Sequence, residues 1–136
     1  MPLRLGAADA LARGQALYNE RYFWEAHDAW EEAWLVEDGE VKRMFQGLIQ
    51  VAAAYHNAFV RRRPGGAVKL LAAGLEKLEA IPDALGGLSL AAFRGALALD
   101  LERARRWHRG ESEGLDLAGV PLLESLRDPS PPAGSA

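Results

Sequence analysis

The sequence predicts an all-α fold of about five helices in a compact antiparallel array or bundle. Glycine and proline divide the 136 residues into five stretches of helical length. Within these, apolar residues recur every three or four positions, and nowhere does the alternating β-branched pattern of a strand occur. Leucine, alanine and glycine dominate the apolar residues of a chain that is 49% hydrophobic, a usage suited to close helix packing. The length fits one domain, expected over 1–127. "DPSPPAGSA" at 128–136 has the proline, serine and glycine content of a flexible C-terminal tail.

The first helix is expected over about 7–20 and ends at "NERY"; the second, over about 22–36, ends at "EDGE". The third runs over about 40–62 to "RRPGG", and the fourth over about 66–80 to "IPDALGGLS", where Ser89 is placed to cap the fifth, over about 89–109. Short connections make successive helices antiparallel neighbours. Gly14, Gly47, Gly74 and Gly95 fall inside four of these helices, where each costs about 1 kcal/mol relative to alanine. Close backbone approach, or room for a tryptophan ring, would explain them. Beyond Gly110 the pattern weakens, and "VPLLESL" is expected to dock as a short turn on the bundle.

Composition removes several function classes. The chain has no cysteine, which excludes disulfides, thiolate metal sites and cysteine nucleophiles. The start lacks a signal-peptide run, and no segment approaches the roughly 20 apolar residues of a membrane span, so a soluble, cytoplasmic protein without membrane contact is expected. A net charge of −3 argues against broad capture of nucleic acid. There is no phosphate-binding Gly-x-x-x-x-Gly-Lys, no dinucleotide fingerprint and no Gly-x-Ser-x-Gly elbow, so no nucleophile or bound cofactor is evident.

Chemistry concentrates in "YFWEAHDAWEEAW", residues 22–34. At about 100° per residue, Phe23, Trp30 and Trp34 lie within about 60° of His27 on one side, and Trp24 and Glu31 within about 60° on the other. His27 is thereby expected in the middle of an aromatic wall of Phe23, Trp24, Trp30 and Trp34. Glu25, Asp28 and Glu32 fall on the solvated face. His27 and Glu31, four residues apart, can meet side by side. They suit a general base with its orienter, two metal ligands or a buried polar lock.

The third helix places Val41, Met44, Leu48, Val51, Tyr55 and Phe59 on a core stripe, with Gln46, Gln50 and Asn57 on a separate narrow one. Around a turn near Asp38, positions summing to about 77 stand level in an antiparallel hairpin, which sets Glu31 beside Gln46 and His27 beside Gln50. Both pairs can hydrogen-bond, giving a buried His/Glu/Gln network that fixes register. His56 would complete a two-histidine, one-carboxylate set, but it stands roughly 9 Å along the axis from His27.

"YFWEAHDAWEEAW" followed by "RMFQGLIQVAAAYHNAF" resembles the small helical proteins of domain of unknown function family 309, over about residues 14–80. The resemblance implies an all-helical fold and no established activity. Its motif falls on His27, Asp28, Glu31, Trp34, Gln46, Gly47, Gln50 and His56. Asp28 departs from the glutamate of the family pattern, which weakens any role there that depends on reach.

Two basic clusters remain: Arg61, Arg62 and Arg63 at the end of the third helix, and Arg103, Arg105, Arg106 and Arg109 around Trp107 near the end of the fifth. Cations complement the macrodipole in last helical turns, the plainer account of both. Adjacency of the clusters in space would shift the balance toward nucleic acid. The functional expectation is a non-catalytic protein-interaction or structural module with an unknown protein partner, homodimerisation included. The alternative is a hydrolase-like metal or small-ligand site, with a divalent metal held by His27 and Glu31.

Overall fold

A computed structural model describes residues 3–126, so the tail expected over 128–136 lies outside the described residues. Five helices pack against one another in chain order: α1 (Leu5–Asn19), α2 (Phe23–Trp34), α3 (Gly39–Phe59), α4 (Pro64–Glu79) and α5 (Leu90–His108). Each packs on its successor, with α3 central between α2 and α4. No strand forms among the described residues, and none of their helices is long and apolar enough to cross a membrane.

The helix ends follow from local chemistry. α3 stops at Phe59 because the amides of Val60 and Arg61 both turn back to the His56 carbonyl, and Arg62 then adopts a left-handed φ of 53°. Pro64 next opens α4 at a position where its missing N–H costs nothing. Ser89 does occupy the N-cap position of α5, but its hydroxyl makes no cap bond; its backbone N–H instead donates to the Glu124 carbonyl.

Three of the four interior glycines sit where helices touch. A Cβ on Gly14 would overlap the indole of Trp30, and one on Gly74 would lie 2.8 Å from the Gly47 carbonyl oxygen across the α3–α4 contact. Gly95 is exposed, a Cβ placed on it would meet nothing within 4 Å, and nothing in the structure explains it. The core joins Leu11, Trp30, Met44, Leu48, Leu71, Leu78 and Leu97 to an aromatic cluster in which Tyr18 meets Phe23, Trp30, Tyr55 and Phe93.

"VPLLESL" docks as an extended strap rather than as the expected turn. Val120 and Leu123 are buried, and Leu88 and Ser125 form an isolated antiparallel bridge. Side chains of α1 hold the strap: Gln15 and Asn19 amides donate to the Leu123 carbonyl, Asn19 accepts from the Leu123 N–H, and the Tyr18 hydroxyl donates to the Pro121 carbonyl. Arg21, left-handed at φ 72°, donates to the Val120 carbonyl. The two leucines after Pro121 do not distinguish a turn from a strap, because the carbonyls that dock carry no side-chain signal.

Candidate functional site

The α2–α3 hairpin brings Trp24, His27, Glu31 and His56 together on a surface ledge. Trp24 stacks on His27 with ring centroids 4.4 Å apart and planes 8° from parallel, and the His56 ring lies 4.9 Å from the same indole at 40°. Trp24 remains 45% exposed, and the His27 side chain 15%. His27 Nε2 lies 3.5 Å from Glu31 Oε2, and Nδ1 3.2 Å from Asp28 Oδ1. A carboxylate oxygen thus stands off each ring nitrogen; neutral imidazole can donate to one of them and imidazolium to both.

This corrects the expected place of His27. The buried face of α2 is Phe23, Ala26, Ala29, Trp30 and Ala33, so His27 lies at its edge, not its middle. Sorting by bulky side chains overlooks the three alanines, and small residues mark where neighbouring helices come closest. The aromatic wall divides accordingly. Phe23 and Trp30 enter the core, Trp24 stands outside it, and Trp34 is half-buried beneath the Lys42 ammonium, 5.0 Å from the ring centroid. Asp28, assigned to solvent, is exposed yet touches His27.

The network expected across the hairpin does not form among the described residues. His27 directs its nitrogens to carboxylates of its own helix and its face to Trp24, leaving none for Gln50. The buried Gln50 Oε1 has no hydrogen-bond partner, and Glu31, with 45% of its side chain exposed, is no buried lock with Gln46. Nor do His27, Glu31 and His56 make a metal cage: no group of three or more histidines and carboxylates among the described residues is arranged to hold an ion. Two donors fall short of the three or four protein ligands usual for a transition metal.

The buried polar lock lies elsewhere. Asp100 on α5 is 3% exposed; its Oδ2 accepts from the Tyr55 hydroxyl at 2.7 Å, and its Oδ1 from Arg103 Nη1 at 3.0 Å. Burial pushes the Tyr18 phenol well above its ordinary range, against the opposing pull of Arg21 and with a smaller push from the Asp100 carboxylate. Burial also raises Tyr55, reinforced by Tyr18 and Asp100. A signal is present in the sequence: Asp100 shares the apolar stripe of Phe93, Leu97, Leu101 and Ala104, where an unpaired carboxylate would be costly.

A separate cleft of about 720 Å³ opens between α1 and the α4–α5 connection, lined by Leu3, Leu11, Gln15, Pro82, Leu85 and Gly86 among others. Sequence periodicity gives no hint of it, since it depends on where the connection lies over α1. None of the ledge residues lines it.

Among curated proteins, an uncharacterized protein of Aquifex aeolicus (strain VF5) is 31% identical over 91 residues, which are 66% of this chain and 27% of that protein. The chain therefore spans about a quarter of the length of this relative. Residues 11–70 match the family model described as a domain of unknown function, DUF309. The chain thus carries a DUF309 domain over 11–70, the stretch that contains α2, α3 and every ring of the ledge.

Proposed function

We propose that this protein is a non-catalytic protein-interaction module whose partner docks on the Trp24 ledge. The half-exposed Trp24 ring, held by His27 and His56, is the feature that supports this reading. A rigid, half-exposed tryptophan is an efficient contact, because its area can be buried with little further loss of side-chain freedom. The exposed carboxylates of Asp28 and Glu31 stand against the His27 ring on which Trp24 stacks, so the fitting partner presents an arginine or lysine beside an apolar residue. A second copy of this chain is one such partner to be tested.

Affinity capture with wild type and Trp24→Ala, the latter checked for an unchanged helical spectrum, tests the proposal. A partner retained by wild type should bind at least about tenfold more weakly to the variant, the loss expected of a central aromatic contact. Equal capture by both proteins, or a hydrolytic activity abolished by His27→Ala, overturns it. Metal content of untagged protein beside His27→Ala addresses the alternative: near-stoichiometric metal lost in the variant would turn the ledge into an ion site.

A further inference from the structure

The two arginine clusters meet. The Arg62 guanidinium lies 5.0 Å over the Trp107 ring and donates to the Glu113 carbonyl at 2.7 Å, tying the end of α3 to the end of α5. Gly65, in the first turn of α4, lies against His108: a Cβ there would be 3.1 Å from the imidazole Cε1. Arg61 and Arg63 flank Arg62 in sequence and Arg106 precedes Trp107; all three are exposed, and none is ion-paired among the described residues. Arg103, Arg105 and Arg109 are ion-paired with Asp100, Glu102 and Glu111.

Macrodipole complementation accounts for cations at either helix end, but not for their convergence on one surface. The segregation is strong. Seven of the 16 lysines and arginines fall in 61–63 and 103–109, against Asp100, Glu102, Glu111 and Glu113 beside them, leaving nine against 15 carboxylates in the rest of the chain. The net charge of −3 thus conceals a cationic end.

We propose that this end, where α3, α4 and α5 meet, binds the sugar–phosphate backbone of single-stranded nucleic acid. Arg61, Arg63 and Arg106 supply phosphate contacts, and the Arg62–Trp107 stack with the adjacent His108 ring supplies planar groups against which unpaired bases rest. Bases stacked within a duplex cannot rest on these planar groups. Single strands are therefore preferred.

Fluorescence anisotropy with short labelled RNA and DNA single strands, the matching duplex and a polyglutamate peptide tests this on the full chain. Three phosphate contacts give a slope of about −2 in log K against log salt, hence about a 20-fold loss between about 50 and 200 mM. Arg61→Glu with Arg63→Glu, and separately Arg106→Glu, should weaken binding about tenfold or more. Arg43→Glu, exposed near the opposite end of α3, should leave it unchanged. The RNA and DNA arms identify which strand is preferred. No binding at low salt, binding unaffected by the cluster variants, or equal affinity for duplex or polyglutamate overturns the proposal.

Discussion

The two polar clusters of this molecule are built in opposite ways. Tyr55, Asp100 and Arg103 form a knot, buried at the phenol and the carboxylate and exposed at the guanidinium, in which both carboxylate oxygens of Asp100 are bonded, at 2.7 and 3.0 Å. Trp24, His27, Glu31 and His56 form a ledge at the surface, where the imidazole contacts stretch to 3.2 and 3.5 Å and the carboxylates are largely solvated. A buried hydrogen-bonded group cannot be deleted without stranding its partner, whereas an exposed one is replaced by water. The knot is thus suited to holding helices together, and the ledge to meeting something else.

Deleting the Asp100 side chain provides the severest test of that contrast. Asp100→Ala leaves the Tyr55 hydroxyl buried without its acceptor and should cost about 3 kcal/mol in urea unfolding. A loss below about 1 kcal/mol would mean that the knot is not a lock. Alkaline pH strains the same region. Tyr18 and Tyr55 stay protonated in the folded chain after unfolded phenols ionise near 10.0, so the folded state binds more protons. The phenols' contribution to stability should be level below pH 10 and then fall with rising pH, by about 1.4 kcal/mol per pH unit for each phenol. Urea titrations across that range should show Tyr18→Phe removing one phenol's share of the slope. The smallest effect belongs to the ledge: His27→Ala should change stability by about 0.5 kcal/mol or less. A loss above about 2 kcal/mol would make the ledge a second lock and end the contrast.

Much of the fold is legible in the sequence because its breaks are chemical. Pro64, the glycines of 86–87 and Gly110 stop or start helices for reasons that act within a few residues, and the five expected stretches match the five helices to within three residues at each end. Gly14 and Gly74 are legible as points of contact, since a glycine inside a helix is otherwise a liability. The site is less legible. His27, Glu31 and His56 do mark the right hairpin, but their degree of burial depends on Ala26, Ala29 and Ala33, which carry no chemistry of their own. Asp100 escapes notice although it stands in an apolar register, because one carboxylate among leucines is a fainter signal than the crowded chemistry of 22–34. The meeting of Arg62 with Trp107 leaves no trace in local pattern, since it joins positions 45 apart through the packing of three helices.

The strap has a consequence for the order in which the molecule assembles. Its bonds to Gln15, Tyr18, Asn19 and Arg21 join residues 99 to 110 positions apart, whereas each helical hairpin closes over a short connection. Such long closures lose more chain entropy before any contact repays it, so the array forms first and the strap seats last. In reverse, the strap is the first part to lift, uncovering the Tyr18 hydroxyl while α2, α3 and α4 stay folded. Arg21 is bonded to the strap itself and Arg62 to Glu113 on the segment that leads into it, whereas the left-handed turn at each closes within its own hairpin, Tyr22 N–H to the Leu17 carbonyl and Arg63 N–H to the Asn57 carbonyl. Lifting the strap and its lead-in therefore releases two guanidinium groups and leaves both turns shut, so the segment leaves and reseats on an unchanged frame.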